Sequence, residues 1–189
     1  VKNNVLLPLD DLIAADPEGK AMMDDFVDST TDVFTIDGNL YELPTDCNDA
    51  VVHVNTKMFQ EAGIEIPYDG WTWEEFRSIA KQLTTGEGDS KVYGFGTSLS
   101  PAWLAGWFMS NGSDYINDDW TDSNLSDPKA METVEFLNSL VNEDKSMPVP
   151  ETTTDATSLF AAGRVAMIAT GIWPFPSYKA NGFEDVDVV

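Results

Sequence analysis

Gly171, Trp173, Pro174 and Pro176 lie in the stretch TGIWPFPS (170–177), just past an apolar run, Val165 to Ala169. One glycine and two prolines fix the backbone on either side of a single indole. An indole offers a broad flat face at small entropic cost, because only two χ angles need setting. The C–H face of a sugar ring lies well on such a plane, and its hydroxyls then need amide and carboxylate partners. PTDCND (44–49) carries such groups, with Thr45, Asp46 and Asn48 around Cys47. A turn whose side chains bond to their own backbone fits the same pattern. The chain has six tryptophans in 189 residues, more than a core of this size uses. Trp73 fits the apolar face of one helix, and Trp103 and Trp107, four apart, fit one face of another. Core packing is the default reading for those three.

Chemistry that makes or breaks bonds finds little support. His53 is the only histidine and sits inside the apolar run VVHVN, where a buried structural role is expected. GTSLS (96–100) lacks the second glycine of a nucleophile elbow. There is no H-E-x-x-H, C-x-x-C, P-loop or G-x-G-x-x-G pattern. SDYINDDWTDSNLSD (113–127) is rich in oxygen ligands but lacks the order of an EF-hand, so a solvated acidic loop is expected. No cofactor, metal or catalytic residue is assigned. A glycoside hydrolase using acids such as Asp114 and Asp119 stays open, as does a cell-surface glycan-binding module, because sequence cannot show whether two carboxylates oppose each other.

Bulk properties narrow the partners. Asp and Glu total 33 against 10 Lys and Arg, a formal charge of −23, which argues against nucleic acid and anionic membrane surfaces. Cys47 stands alone, so no disulfide forms within the chain. No apolar stretch approaches the roughly 20 residues that span a bilayer.

The elements that must position these side chains alternate in type. VFTIDGNLYEL (33–43) predicts a hairpin turning at Asp37-Gly38. AVVHV (50–54) predicts a buried strand, with Asn55 capping the helix TKMFQEA and Gly63 stopping it. Thr72 and Glu75 have capping-box spacing ahead of a helix within 70–86, and Asp127-Pro128 opens another over 127–143. KVYGFGTS (91–98) and RVAMIAT (164–170) predict strands; SPAWLAGWFMSNG (100–112) and DATSLFAAG (155–163) predict helices. The alternation predicts an α/β fold with a largely parallel sheet flanked by helices, and ligands gather beyond the carboxyl ends of such strands.

DGNLYELPTDCNDAVVHVNTKMFQEAGIEIPYDGWTWEEFRSIAKQLT (37–84) resembles the central stretch of family 1 extracellular solute-binding proteins, the maltose-binding-protein-like family. YGFGTS (93–98), NSLVNE (138–143) and FAAGRVAMIATGIW (160–173) resemble its later blocks in order. The resemblance implies a periplasmic-binding-protein-like (class II) fold whose two lobes close on a carbohydrate, an oligosaccharide in the main reading. It implies delivery to the permease subunits of an ABC importer outside the cell or in the periplasm, with lipoprotein anchoring. It places Trp173 on a sugar ring after the strand ending at Thr170-Gly171. It places Asn48 at the lobe crossover, with Asp46 and Thr45 beside it, and Trp103 in a block that supplies another aromatic. Thr170, Ile172 and His53 depart from the family's usual residues, which bears on sugar identity more than fold. The family is about twice this length. Residues 1–48 are therefore expected to be a remnant of the first lobe and crossover, and 49–189 an incomplete second lobe. A remnant parted from its sheet is expected to self-associate.

Overall fold

A computed structural model describes residue 3 and residues 5–46, 49–98, 100–117, 119–149 and 156–189. The chain divides into two compact units, Val1–Asn48 and Asp49–Val189.

Among its described residues the first unit holds three short helices, α1 (Asp10–Ala15), α2 (Pro17–Met23) and α3 (Asp28–Asp32), and a hairpin of β1 (Thr35–Ile36) and β2 (Asn39–Leu40). Asp37 and Gly38 both take positive φ, 52° and 79°, as a two-residue type I′ turn requires. The Leu9 N–H donates to the Leu40 carbonyl at 2.8 Å, and the Leu40 N–H donates to Asp10 Oδ2 at 3.1 Å, which ties α1 to the hairpin. Leu40 is buried, whereas Val5, Leu7, Leu12, Val27 and Val33 stay exposed.

Among the described residues the second unit is a four-stranded sheet with helices on both faces. Its elements run β3 (Val51–Asn55), α4 (Thr56–Ala62), α5 (Trp73–Leu83), β4 (Tyr93–Thr97), α6 (Pro101–Ser110), α7 (Pro128–Asn142), α8 (Ala156–Ala161), β5 (Val165–Thr170), α9 (Phe175–Ala180) and β6 (Val186–Val188). The predicted caps form. The Asn55 side chain accepts from the Met58 N–H, Thr72 and Glu75 close a full capping box, and Asp127 caps α7 ahead of Pro128.

The strand order is β4-β5-β3-β6. β4 and β5 are parallel, but β3 runs antiparallel to both β5 and β6, so the sheet is mixed rather than largely parallel. The number of helices in each connection accounts for this. One helix or three between strands returns the chain to its starting end, as between β5 and β6 and between β4 and β5. Two helices, α4 and α5, join β3 to β4 and leave the chain at the opposite end. Counting strands and helices as merely alternating misses that parity.

On one face Val54, Phe95 and Met167 pack with Phe59 of α4, Phe76, Ala80 and Leu83 of α5, and Leu137 and Leu140 of α7. Phe76 lies at its centre, edge-on to Phe95 at 4.9 Å and to Trp107 at 5.0 Å. On the other face Ile168 packs with Phe160 of α8 and Tyr178 of α9. An ion cluster pins α5 to the end of α7: Arg77 donates from Nε and Nη2 to the Asp144 carboxylate and from Nη2 to Glu143 at 2.8 Å, while Lys81 lies 3.2 Å from Asp144.

Candidate functional site

β4 ends at Thr97 and β5 at Thr170, and in their parallel pairing Thr97 stands opposite Ala169. Their carboxyl ends are therefore level, and the segments leaving them run on side by side. One leads into α6 with Trp103, the other into Trp173. Two indoles 70 residues apart in sequence thus meet, with ring centroids 5.1 Å apart and planes tilted by 40°.

Trp173 is 51% exposed. Its ring folds back over Gly171 so closely that a Cβ there would lie 2.0 Å from Cζ3. The glycine has a packing reason: it leaves the flat seat on which the indole rests. Pro174 is buried and opens α9, holding the chain after the ring. Together Trp103 and Trp173 wall a cavity of about 490 Å³, with hydroxyls from Ser98, Thr157, Thr170 and Ser177 in its lining. Among the described residues that lining carries no charged side chain. The cavity offers flat apolar walls with alcohol groups around them, suited to a neutral, hydroxyl-bearing ring.

The sequence-derived residues divide accordingly. Trp173, Trp103 and Gly171 come together. Thr45 and Asp46 belong to the first unit and are exposed, and Asn48, like Cys47, lies outside the described residues. Of the two tryptophans on α6, Trp107 packs against Phe76 and Phe136 as expected of core, while Trp103 faces the cavity. Trp73 stacks on Phe136 at 4.4 Å. Asp114 accepts from its neighbour's N–H at 2.6 Å within a loop turn, and neither it nor Asp119 lines the cavity. Sequence reading missed Ser98, Thr157 and Ser177. Ser98 follows a strand's carboxyl end, a signal that could have singled it out; the other two carry none.

Behind this wall His53 is fully buried, with Nδ1 3.3 Å from the Tyr178 hydroxyl and rings of Phe175 and Phe160 around it. Its Nε2 has no partner among the described residues. Burial pushes its pKa down from 6.5 to about 4, a backbone interaction with Gly171 offsetting part of the effect. A depressed histidine pKa means the unfolded chain takes the proton first. Its neutral-state stability is complete above pH 6.5 and is lost as pH falls toward 4. Asp144, held below the ordinary carboxylate range by its bonds from Arg77, adds a loss of the same sign at lower pH. Thermal melts across pH should thus show stability falling from about pH 6.5 downward. His53→Gln should lack the upper part of that decline, and an unchanged profile in this variant would exclude the histidine as its source.

The profile of the family described as bacterial extracellular solute-binding protein matches residues 1–189, and the chain belongs to that family. It is 27% identical to a Listeria monocytogenes ABC substrate-binding protein solved in complex with cycloalternan. The TM-score is 0.82, and the match covers 99% of this chain and 47% of that one. An arabinooligosaccharide-binding protein of Bacillus subtilis is 25% identical over 136 residues, 67% of this chain and 28% of that protein. The Mycobacterium tuberculosis protein UgpB, solved with glycerophosphocholine, is 22% identical with a TM-score of 0.83, covering 99% of this chain and 46% of that one, and shows the fold alone. The chain spans less than half the length of the curated relatives it matches. The family is one of extracellular solute-binding proteins. Among the described residues no helix is long and apolar enough to cross a membrane.

Proposed function

We propose that the whole protein is the solute-binding component of an ABC importer. It captures a carbohydrate, an oligosaccharide in the reading we favour, and leaves every bond intact. The observation that carries this is the pair of indoles at the level ends of β4 and β5, over a cavity lined by hydroxyls. Relatives that bind cycloalternan and arabinooligosaccharide support the same class of ligand.

In this reading residues 49–189 are an incomplete second lobe, and residues 1–48 are a remnant of the first lobe and the crossover. Asn48, Asp46 and Thr45 then bind hydroxyls, and sugar bridging both lobes of the whole protein stabilises the closed state. The protein works outside the cell or in the periplasm, tethered as a lipoprotein beside its permease. Calorimetry of the whole protein with maltose and arabino-oligosaccharides, followed by mass analysis of the ligand, tests this. Saturable binding with intact ligand is expected. Cleaved ligand would turn the reading to a hydrolase, and absence of binding to any oligosaccharide would reject it.

For residues 1–189 alone, we expect self-association. Leu7, Leu12 and Val33 are exposed, and among the described residues β1 and β2 form a two-stranded sheet. Pairing of copies would bury these groups, with a dimer the commonest closed solution. The charge of −23 opposes it and salt screens that charge, so sedimentation should show more dimer at high ionic strength. A monomer at all salt concentrations would count against the lobe assignment.

A further inference from the structure

Trp103 is a wall of two cavities. One is the chamber it shares with Trp173. The other, about 260 Å³, is lined by Trp71, Trp73, Trp107, Gly106 and Ala169 besides Trp103, and both Trp103 and Ala169 border the two. The chambers adjoin, but their chemistry differs. The second is walled by four indoles and aliphatic carbon, and among its described residues no charged side chain lines it. Its one hydroxyl, on Ser110, is engaged at both ends. It accepts from Trp73 Nε1–H at 3.1 Å and donates to the Trp107 carbonyl at 2.9 Å. The Trp71, Trp103 and Trp107 indole N–H groups remain as donors, but a sugar ring placed there would find fewer polar partners than in the first chamber, whose lining carries four hydroxyls, and would leave more of its own hydroxyls unpaired.

Gly106 is a second, independent sign. It sits inside α6, where glycine weakens a helix relative to alanine. No heavy atom lies within 4 Å of where its Cβ would be, so packing does not demand glycine there. Gly106 lines the chamber, and the space at its Cβ position is open.

We propose that this second chamber takes an apolar aglycone, aryl or branched alkyl, of a glycoside whose sugar ring lies against Trp173 and Trp103. The glycoside part rests on the sugar reading of the first chamber; the apolar part rests on the second chamber alone. The preferred ligand is then an aryl or alkyl glycoside rather than a plain sugar chain.

Calorimetry of the whole protein with three probes tests this. Free 4-nitrophenol should bind saturably to the wild type and at least ten-fold more weakly to Gly106→Leu. The Cβ of that variant meets no heavy atom within 4 Å and leucine favours a helix over glycine, so a melting temperature equal to or above the wild type's is expected. No saturable binding, or equal binding by the variant, overturns the proposal whether or not any sugar binds. 4-Nitrophenyl α-maltoside should bind the wild type about ten-fold tighter than methyl α-maltoside, with the ratio falling toward one in Gly106→Leu. Equal affinities overturn the proposal. So does a methyl maltotrioside that gains as much as the nitrophenyl compound, since the chamber would then hold a sugar ring. If 4-nitrophenol binds and neither maltoside does, the apolar chamber is supported and the sugar reading of the first chamber is what fails.

Discussion

Replacing Trp173 by alanine should lower the sugar affinity of the whole protein by ten-fold or more and leave its melting temperature nearly unchanged. The ring is half exposed, so little core is lost with it. Its neighbours are Trp103, which stays in place on α6, and Gly171, whose missing side chain only made room for the indole. A stacked aromatic contributes about 0.5–1.5 kcal/mol beyond the area it buries, and truncating a binding hot spot costs ~2 kcal/mol or more, which is roughly 30-fold in affinity. Unchanged affinity by calorimetry would remove the ring from the site. A variant that does not fold would return it to the core.

A larger loss of stability is expected from the smallest possible addition, a methyl group on Gly94. A Cβ there would lie 1.8 Å from the Ala80 carbonyl oxygen and 2.6 Å from its Cα, both backbone atoms of α5. No side chain can swing aside to relieve that overlap. The same spot is tied by Thr84, whose hydroxyl donates to the Ala80 carbonyl at 2.8 Å and accepts from the Gly94 N–H at 3.0 Å. Gly94→Ala therefore pushes α5 off β4 and carries Phe76, Ala80 and Leu83 with it. Overpacking of ordinary core costs 1–3 kcal/mol, and a backbone clash belongs at or beyond the top of that range, about 3 kcal/mol or more. Urea unfolding measures this directly. A midpoint within experimental error of the wild type would show that helix and strand stand further apart than described.

Where a signal was local, the sequence carried it. Thr72 with Glu75, Asp127 with Pro128, and Asp37 with Gly38 each specify a cap or turn within four residues, and each forms. The burial of Phe76, Ala80 and Leu83 along α5 follows from helical spacing alone. Helices α1 to α3, of five to seven residues, are too short for periodicity to show. The direction of β3 was illegible because it depends on whether one helix or two fill a connection. The site was half legible. Its aromatic residues declared themselves by type, but only the pairing of β4 with β5 joins Trp103 to Trp173, and hydroxyls such as Ser177 look like any exposed serine.

The strand order also sets a timetable. Among the described residues β3 is synthesised before the other strands of its sheet and is flanked there by β5 and β6. About 110 residues separate the end of β3 from the start of β5. At 5–20 residues per second, translation leaves it without either neighbour for roughly 6–20 s. Throughout that interval a valine-rich strand, open along both edges, depends on α4, α5 and then α7 for whatever cover it has. A binder of nascent chains that recognises short apolar β-strands would find its best hold here, and truncations ending anywhere between β3 and β5 should aggregate more than those ending after β6.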